Sequence, residues 1–569
     1  MGYIILPYDP ASYLQVFMLS FNTSDYWVVI IVLVSCRILF RDRRVSMLME
    51  HNLRSIKTYS LYQYAQLDHI PTIGYSTPFL SFISAVKFFL SGREIVEEGY
   101  RKARQYPGGV WKLPMFDEWL VVANGRERVE DIRKANESQL SGVRSNPVFY
   151  QWDHTLGVDV SDNPYHINIV RGPLTRNLAN QFNDIHDEMV LALNDMIPCK
   201  ADEWTSVPVF EGLVEVISRI TTRAFLGIDL CRNNEFRKLC IQSTMELVKG
   251  RFLHLFPVFL RPTVGRFVTN VDAVLSGIEK HLAPIIAYRL EQDRVHGGEW
   301  ADKPADLITW LLDSAKATGE EPTPRNMAKR VVVFSFASTY SSAVAFAQAL
   351  YELCDRPEYV QPLREEALSV MRHIGHGKWT KAAVGEMYKT DSFLRETQRY
   401  NGLGLVLLSR RVLKPFTFSD VQGTTLPPGT HLCVNAWGNH RDDTYYHDPP
   451  ANVFDGFRFS RITTSVSENG GSEHKDHQQP LMATPTLEYN AFGHGRPACP
   501  GRFFAVAELK LMLGYILTTY NFRFSPEAAR QKPQMAWFES KVIPDKSVRL
   551  LFQRRPISYA VQNGGVDDP

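Results

Sequence analysis

The chain has 569 residues, and its 63 Lys and Arg against 61 Asp and Glu give a formal net charge of +2 at pH 7. With 44% hydrophobic, 22% charged and 12% aromatic residues, it is a folded protein, which excludes the disordered and collagen-like classes. A near-neutral chain without a long basic stripe gives no reason to expect a nucleic-acid partner. Seven scattered cysteines form neither a disulfide framework nor a CxxC zinc site, so we expect a reducing compartment.

The N-terminal residues 1–44 are predicted to form a lumenal tail and a single-pass membrane anchor. Residues 27–40 are almost wholly apolar, and Arg41, Arg43 and Arg44 follow directly. A basic flank on this side keeps the rest of the chain cytosolic, and no small-residue cleavage site follows the apolar run. A buried core helix is the alternative interpretation of the same run.

One large body, residues 76–569, is expected after a linker at 45–75 that includes a Pro/Gly stretch suited to a stiff hinge. No other linker divides the body, although the polar segment 461–480 is predicted to be a surface insertion. Strand patterns and helical periodicity predict a mainly α fold with small β-sheets. The strand patterns lie at 108–113, 119–125, 412–418 and 431–435, and the helical ones at 177–197, 208–227, 233–249, 271–293 and 305–318.

A long helix is predicted from Thr323, which can cap it, through Pro324 at its first position to about Cys354. Midway along it, residues 336–342 (FASTYSS) place a cluster of hydroxyl groups inside an otherwise apolar stretch. Such hydroxyls bond back to the preceding turn or hold water, and packing against a neighbouring helix is the plainer interpretation.

A second, shorter helix is predicted to carry Glu396 and Arg399, with Thr390 as its cap and its end near Gly402. The spacing i, i+3 places the carboxylate and the guanidinium on one face. Most pairs of this kind are solvated surface ion pairs worth little, so the pair alone is a weak signal.

The most specific segment is residues 492–502 (FGHGRPACPGR), which leads into an apolar helix from 503 to about 520. Cys499 stands before the start of this helix, where unpaired N–H groups are expected to lower the thiol pKa and favour a metal-binding thiolate. The glycines allow tight turns, and Arg496 offers a cation to a nearby anion. A haem iron and its propionates have these requirements.

The order of Phe492, Gly495, Arg496, Cys499 and Gly501 resembles the haem-thiolate loop of the cytochrome P450 monooxygenases. The resemblance implies a single large haem-thiolate cytochrome P450 fold preceded by the membrane anchor. It also implies haem b as cofactor, with Phe492 in the binding loop, Cys499 as the axial iron ligand and Arg496 paired with a propionate.

The same resemblance assigns a structural role to Glu396 and Arg399. In the family this pair locks to an arginine in a following F-x-x-x-R-F stretch, and Arg458 stands at that place here, although Gly456 replaces the usual proline. We therefore expect a buried Glu396–Arg399–Arg458 network that supports the haem loop.

On the long helix, the resemblance aligns Ser341 with the family's threonine and Tyr340 with its acid, the two positions that deliver protons to bound dioxygen. Tyr340 is a departure, because a phenol with a pKa near 10 is a poor proton source; water would have to relay protons instead. Arg171 or Arg176 is expected to contact the propionates, although the family's W-x-x-x-R form is absent.

The resemblance is to fungal microsomal members and implies insertion of one oxygen atom from O2 into an unactivated C–H bond, with the enzyme in the endoplasmic reticulum membrane. No G-x-G-x-x-G nucleotide fingerprint occurs, so electrons are expected from a separate NADPH-dependent flavoprotein reductase. Arg502 and Lys510 are candidate docking cations for it. The resemblance also aligns segments 145–165, 252–260, 402–408 and 535–538 with regions that face substrate, although core or membrane contact is the plainer interpretation of each alone. Together their apolar character suggests a lipophilic small-molecule substrate, terpenoid or sterol-like, in secondary metabolism.

Two other functions stay open from the sequence. A haem-thiolate isomerase, dehydratase or peroxide-using enzyme would explain Tyr340 and Ser341, and would need neither NADPH nor the reductase. A membrane-bound haem or lipid carrier without catalysis would bind ligand and form no product.

Overall fold

The computed structural model describes most of the chain from residue 66 to residue 556. The described ranges are 66–77, 80–106, 108–201, 203–419, 423–461, 481–530, 533 and 535–556. The predicted membrane anchor at 1–44 and nearly all of the insertion at 461–480 lie outside the described residues.

Helices dominate the described part of the chain, as predicted. Those of eight or more residues are α1 Leu80–Ala103, α2 Arg126–Lys134, α3 Phe182–Met196, α4 Val209–Leu226, α5 Asn234–Lys249, α6 Arg261–Val268, α7 Val271–His296, α8 Leu307–Thr318, α9 Pro324–Asp355, α10 Val360–His373, α11 Tyr388–Tyr400 and α12 Arg502–Thr519. Shorter turns include Ser145–Phe149, Val158–Asp162, His166–Ile169, Val170–Leu174, Thr175–Asn177, Ile228–Arg232, Lys381–Gly385, Ala436–Asn439 and Pro526–Arg530.

The long helix α9 forms the centre of the body. Its predicted start is confirmed, because the Thr323 side chain accepts a hydrogen bond from the backbone N–H of Asn326 (3.2 Å) and Pro324 follows. It packs against α4, α5, α7, α11 and α12. By length and composition α9 is also the one candidate membrane span within the described residues, but 67% of its most apolar window is buried, so it is a core helix.

The small sheets flank this helical body. The largest has the strand order β1-β2-β8-β5-β3, in which β2 and β8 run parallel and the other neighbours antiparallel. The strands are β1 Val110–Pro114, β2 Trp119–Ala123, β3 Leu140–Ser141, β4 Thr205–Pro208, β5 Leu407–Val412, β6 Phe416–Thr417, β7 Thr425–Leu426, β8 His431–Val434, β9 Tyr520–Phe524, β10 Ala536–Phe538, β11 Lys541–Ile543 and β12 Arg549–Arg554. β1 and β2 lie at the predicted strand segments 108–113 and 119–125 and pair with each other.

The predicted strand over 412–418 is wrong in its bounds. β5 ends at Val412 and β6 begins at Phe416, with Pro415 between them. Proline has no N–H to donate to a strand ladder, which explains the break.

The described end of the predicted linker packs on the body. Leu67, Ile70 and Ile73 are buried, and the Ile73 N–H donates to the carbonyl of Lys112 in β1 (2.9 Å). Residues 67–73 therefore belong to the same packed unit as the sheet.

Candidate active site

The loop from Phe492 to Gly501 folds tightly in front of α12. The Cys499 N–H donates to the Phe492 carbonyl (2.8 Å), which closes the loop. Gly493 and Gly495 have φ values of +71° and +73°, a region that glycine adopts without strain. A Cβ at Gly495 would also lie 2.9 Å from the carbonyl oxygen of Arg133, so this turn requires glycine for space as well.

Burial raises the pKa of the Cys499 thiol, while hydrogen bonds from the N–H groups of Gly501 and Arg502 and the charge of Arg502 lower it. The amide donors act in the predicted direction, but the net shift of this pKa is upward because the loss of water outweighs them. The same N–H groups would stabilise the thiolate form of Cys499 if it ligated a metal ion.

The open face of α9 is defined by Ala337 and Ser341, which are exposed in the middle of a helix whose other faces are largely buried. The Ser341 hydroxyl donates to the carbonyl of Ala337 (2.9 Å). Thr339 and Ser342 are buried on the other side. A solvent-exposed stripe on a central helix indicates that it borders a cavity.

Tyr340 does not share this open face with Ser341. Successive helical residues point about 100° apart, and the Tyr340 ring packs edge-on against Phe210 of α4 (centroids 5.9 Å apart). Burial and the nearby Glu211 raise the pKa of Tyr340 further. The side chains of the two residues predicted to deliver protons therefore leave α9 on different faces.

Aromatic side chains join α9 to its neighbours. Phe225 of α4 contacts both Phe334 of α9 (5.6 Å) and Phe504 of α12 (5.4 Å). Phe336, two residues after Phe334 and so on the opposite side of α9, packs edge-on against Tyr150 (4.9 Å) and Trp152 (5.7 Å). Through these rings α9 is linked to the cysteine helix on one side and to the predicted substrate segment 145–165 on the other.

Glu396, Arg399 and Arg458 do come together. Both carboxylate oxygens of Glu396 accept from Arg399 at 2.7 Å, and Arg458 Nε donates to Oε1 at 3.4 Å. The side chains of Glu396 and Arg399 have no exposed surface. Thr390, however, is not the helix cap: α11 begins at Tyr388, and the Thr390 hydroxyl donates to Glu366 (2.7 Å).

Gly456, which replaces the usual proline beside this network, lies against two aromatic rings. A Cβ at this position would be 2.7 Å from Cδ2 of Phe393 and 2.9 Å from Cε1 of Tyr359. Those rings occupy the space that a larger residue would need.

A comparison with known families matches residues 75–552 to the family described as Cytochrome P450. The chain belongs to the cytochrome P450 family. Members of this family carry haem with a cysteine thiolate as axial iron ligand, and the fold of this P450, mostly helical with small sheets, confirms the predicted fold class.

The relatives of this P450 include named fungal monooxygenases. Cytochrome P450 monooxygenase 151 of Postia placenta is 36% identical over 490 residues, covering 86% of this chain and 94% of the relative. Cytochrome P450 monooxygenase CYP512U6 of Ganoderma lucidum is 32% identical over 492 residues (86% and 92%). Ent-kaurene oxidase P450-4 of Gibberella fujikuroi is 30% identical over 492 residues (86% and 93%). The P450 is therefore a monooxygenase of this family.

The predicted propionate cations lie around the cysteine loop of the P450. Arg171 donates through Nη2 to the backbone carbonyl of Arg496 (3.0 Å). The side chains of Arg171, Arg176 and Arg496 are exposed, and Arg176 folds back towards Gly172. The three cations remain available to an anion at this edge of the loop.

Sequence reasoning missed Arg410 of β5. It is buried (4% exposed), and Nη2 donates to the carbonyl of His494 in the cysteine loop (3.0 Å). Burial lowers the pKa of Arg410 to about 10, and it forms no ion pair with any described residue. A buried cation that has no ion-pair partner among the described residues, and that contacts this loop, fits an anionic edge of haem. In the sequence nothing separates it from Arg411, which instead pairs with Glu118 (2.6 Å).

The predicted docking role of Lys510 is contradicted by its position. Lys510 is buried (4% exposed), and its Nζ donates to the carbonyl of Gly385 (3.2 Å) and lies 3.5 Å from Asp391. Arg502 is half-buried and donates to the carbonyls of Ala483 (3.1 Å) and Cys499 (2.9 Å). Both cations are engaged inside the protein, because α12 is packed on nearly all sides.

Proposed function

We propose that this P450 inserts one oxygen atom from O2 into an unactivated C–H bond of a lipophilic, terpenoid or sterol-like substrate in secondary metabolism. The observation that carries the proposal is the tight loop in front of α12, which the Cys499 N–H closes onto the Phe492 carbonyl (2.8 Å). Bound haem supplies the iron at which dioxygen is reduced and activated. Cys499 is the proposed axial ligand, and Phe492 closes the loop that holds it.

The protein's own residues orient the cofactor and admit substrate. Arg410, with Arg171, Arg176 and Arg496 at the exposed edge, is proposed to bind the propionates by charge-assisted hydrogen bonds. Ser341 is proposed to position water on the open face. Because its hydroxyl already donates to Ala337, it offers lone pairs to that water.

The aromatic wall supports a lipophilic substrate. Tyr150, Trp152 and Phe336 pack together at the predicted substrate segment 145–165, and pockets lined by such rings favour large apolar ligands. The name of one relative, an ent-kaurene oxidase, supports a terpenoid substrate here.

We propose a single-pass anchor in the endoplasmic reticulum membrane, a cytosolic catalytic domain, and electron supply by an NADPH-dependent flavoprotein reductase. Exposed apolar side chains support contact with membrane lipid. Phe82 of α1 (57% exposed) and Phe267 of α6 (65% exposed) are examples. Phe89 of α1 packs against Phe252 (6.2 Å), ahead of α6, so the two apolar segments lie on adjoining parts of the surface.

Product analysis tests this proposal. Full-length protein in lipid vesicles, supplied with the reductase, NADPH and isotopically heavy dioxygen, is incubated with a panel of terpenoids and sterols. The expected product carries one heavy oxygen atom and forms only with reductase, whereas Cys499→Ser forms none. A colourless folded protein, or a dithionite-reduced carbon monoxide complex without the Soret band of sulfur ligation, would overturn the proposal.

A haem-thiolate isomerase, dehydratase or peroxide-using enzyme is the second candidate, and the position of Tyr340 favours it. This side chain stands where the family has an acid, yet it packs against Phe210 away from the open face. Such an enzyme would convert substrate without NADPH or reductase and without incorporating heavy oxygen from dioxygen gas.

A further inference from the structure

His440 connects the buried ion pair of α11 to the start of the cysteine loop. It follows the helical turn Ala436–Asn439 and is 3% exposed. Its backbone carbonyl accepts a hydrogen bond from Arg399 Nη1 (2.6 Å). Its ring Nε2 accepts one from the backbone N–H of Asn490 (3.0 Å). One residue thus touches both the ion pair and the chain that leads to Cys499.

The connection continues through the backbone of the loop. Asn490 has no exposed surface, and its carbonyl accepts from the N–H of Gly493 (2.8 Å). The neighbouring Phe492 carbonyl accepts from the N–H of Cys499 (2.8 Å). An almost unbroken series of hydrogen bonds therefore runs from Glu396 to the cysteine, and the His440 imidazole is its one side-chain link after Arg399.

The imidazole can hold this position only as a neutral ring. A backbone N–H can only donate, so Nε2 must keep its lone pair. Burial and the positive charges of Arg399, Arg441 and Arg395 lower the pKa of His440 to about 3. Stacking on Tyr489 (centroids 5.5 Å apart, planes 18° apart) fixes the ring plane.

We propose that His440 is a positioning residue, whose Nε2 lone pair holds the cysteine loop at the position needed for thiolate ligation of the haem iron. A fully buried N–H must find an acceptor. Without Nε2, the Asn490 N–H can find another acceptor only if the backbone around Asn490 moves. The inference rests on the proposed role of Cys499.

Three substitutions test the lone pair. His440→Phe keeps a stacking ring and has no acceptor, His440→Asn has an acceptor one bond too short, and His440→Gln has an acceptor of matching reach. The readout is the ratio of thiolate-type to thiol-type Soret bands in the reduced carbon monoxide complex at equal haem content. We expect His440→Phe and His440→Asn to lower this ratio about tenfold. His440→Gln should change it less than about threefold.

Leu311→Ala is the matched control. Leu311 is fully buried in α8, so its truncation destabilises the fold by leaving a cavity away from the loop. We expect its Soret ratio to equal that of the unsubstituted protein. Loss of haem from His440→Phe and His440→Asn, at melting temperatures no lower than that of Leu311→Ala, would also support the proposal.

Two results would overturn the inference. One is an unchanged ratio in both His440→Phe and His440→Asn, and the other is an equal fall of the ratio in Leu311→Ala. The proposed function fails separately, when the unsubstituted holoprotein itself lacks the Soret band of sulfur ligation.

Discussion

Glu396 and Arg399 face each other with no exposed side-chain surface, so removing one charge leaves the other buried without its partner. We expect Glu396→Gln to lower the free energy of unfolding by about 3–5 kcal/mol, the usual result of breaking a buried pair. Urea denaturation measures the change. The exposed pair of Glu291 with Arg294 is the control, and Glu291→Gln should leave the free energy of unfolding nearly unchanged. Equal effects of the two substitutions would contradict the prediction.

Glu508 of α12 is buried, and neither carboxylate oxygen has a hydrogen-bond partner among the described residues. Burial raises the pKa of Glu508 from 4.5 to about 8. Between these values the folded protein binds the proton and the unfolded chain releases it. The contribution of the Glu508 carboxyl to the free energy of unfolding is therefore fully present below about pH 4.5 and is lost as the pH rises towards 8.

Glu508→Gln should remove this dependence. We expect the variant to exceed the parent in free energy of unfolding at pH 8 by an amount on the order of a few kcal/mol. The difference should shrink as the pH falls to 5, and urea titrations at several pH values measure it. Parallel pH profiles for the two proteins would show that the carboxyl is ionised in the folded state.

Gly456 illustrates a departure from a family pattern with a local cause. The Tyr359 and Phe393 rings leave no room for a Cβ, so Gly456→Ala should lower the free energy of unfolding by about 1–3 kcal/mol through overpacking. Replacing one of the neighbouring rings by a smaller side chain should relieve the clash. In a double-mutant cycle with Tyr359→Ala the costs should therefore not add; additive costs would contradict this explanation.

At the scale of elements, α9 carries different chemistry on different faces. Ser341 is exposed on the open face, whereas Thr339 is buried on another. We expect Ser341→Ala to lower product formed per O2 consumed by about tenfold, the effect of losing one hydrogen-bonding group. Thr339→Ala, the control, should change stability and leave this ratio within about twofold of the parent. Oxygen-electrode traces with product quantification compare the two.

Elements with strong local signals could be predicted from the sequence. Periodic apolar residues gave the right helices, and the Thr323–Pro324 start of α9 was right because its capping chemistry is local. The strand predicted over 412–418 is wrong in its bounds because Pro415 cannot donate to a strand ladder. These outcomes depend on neighbours within a few residues.

Parts of the site depend instead on how elements meet. Arg410 lies beside the cysteine loop only because β5 pairs with β8 and β3, so its role was not visible in the sequence. Lys510 looked like a surface charge, but α12 is enclosed by other helices and Lys510 is buried. Likewise, the pKa of Cys499 depends on how much water the folded body excludes.

At the scale of the whole molecule, the exposed arginines gather on the side of the cysteine loop. Arg171, Arg176 and Arg496 are all exposed there. We expect Arg176→Glu to slow reduction of the haem by a flavoprotein reductase severalfold at low ionic strength, and the difference to fade near 1 M salt, where charges are screened beyond about 3 Å.

Stopped-flow reduction under anaerobic conditions measures this rate. Arg294→Glu, on an exposed part of α7 away from the loop, is the control and should leave the rate unchanged. A salt-independent effect of Arg176→Glu would point to altered haem binding rather than to partner encounter.

Phe225 has a mechanical consequence. Its ring is wedged between Phe334 and Phe504, and protein interiors are nearly incompressible. Because Phe225 packs tightly between them, α12 and α9 keep a fixed distance from each other. A ligand that fills the cavity beside α9 should therefore also displace α12 and the cysteine loop, without any hinge motion.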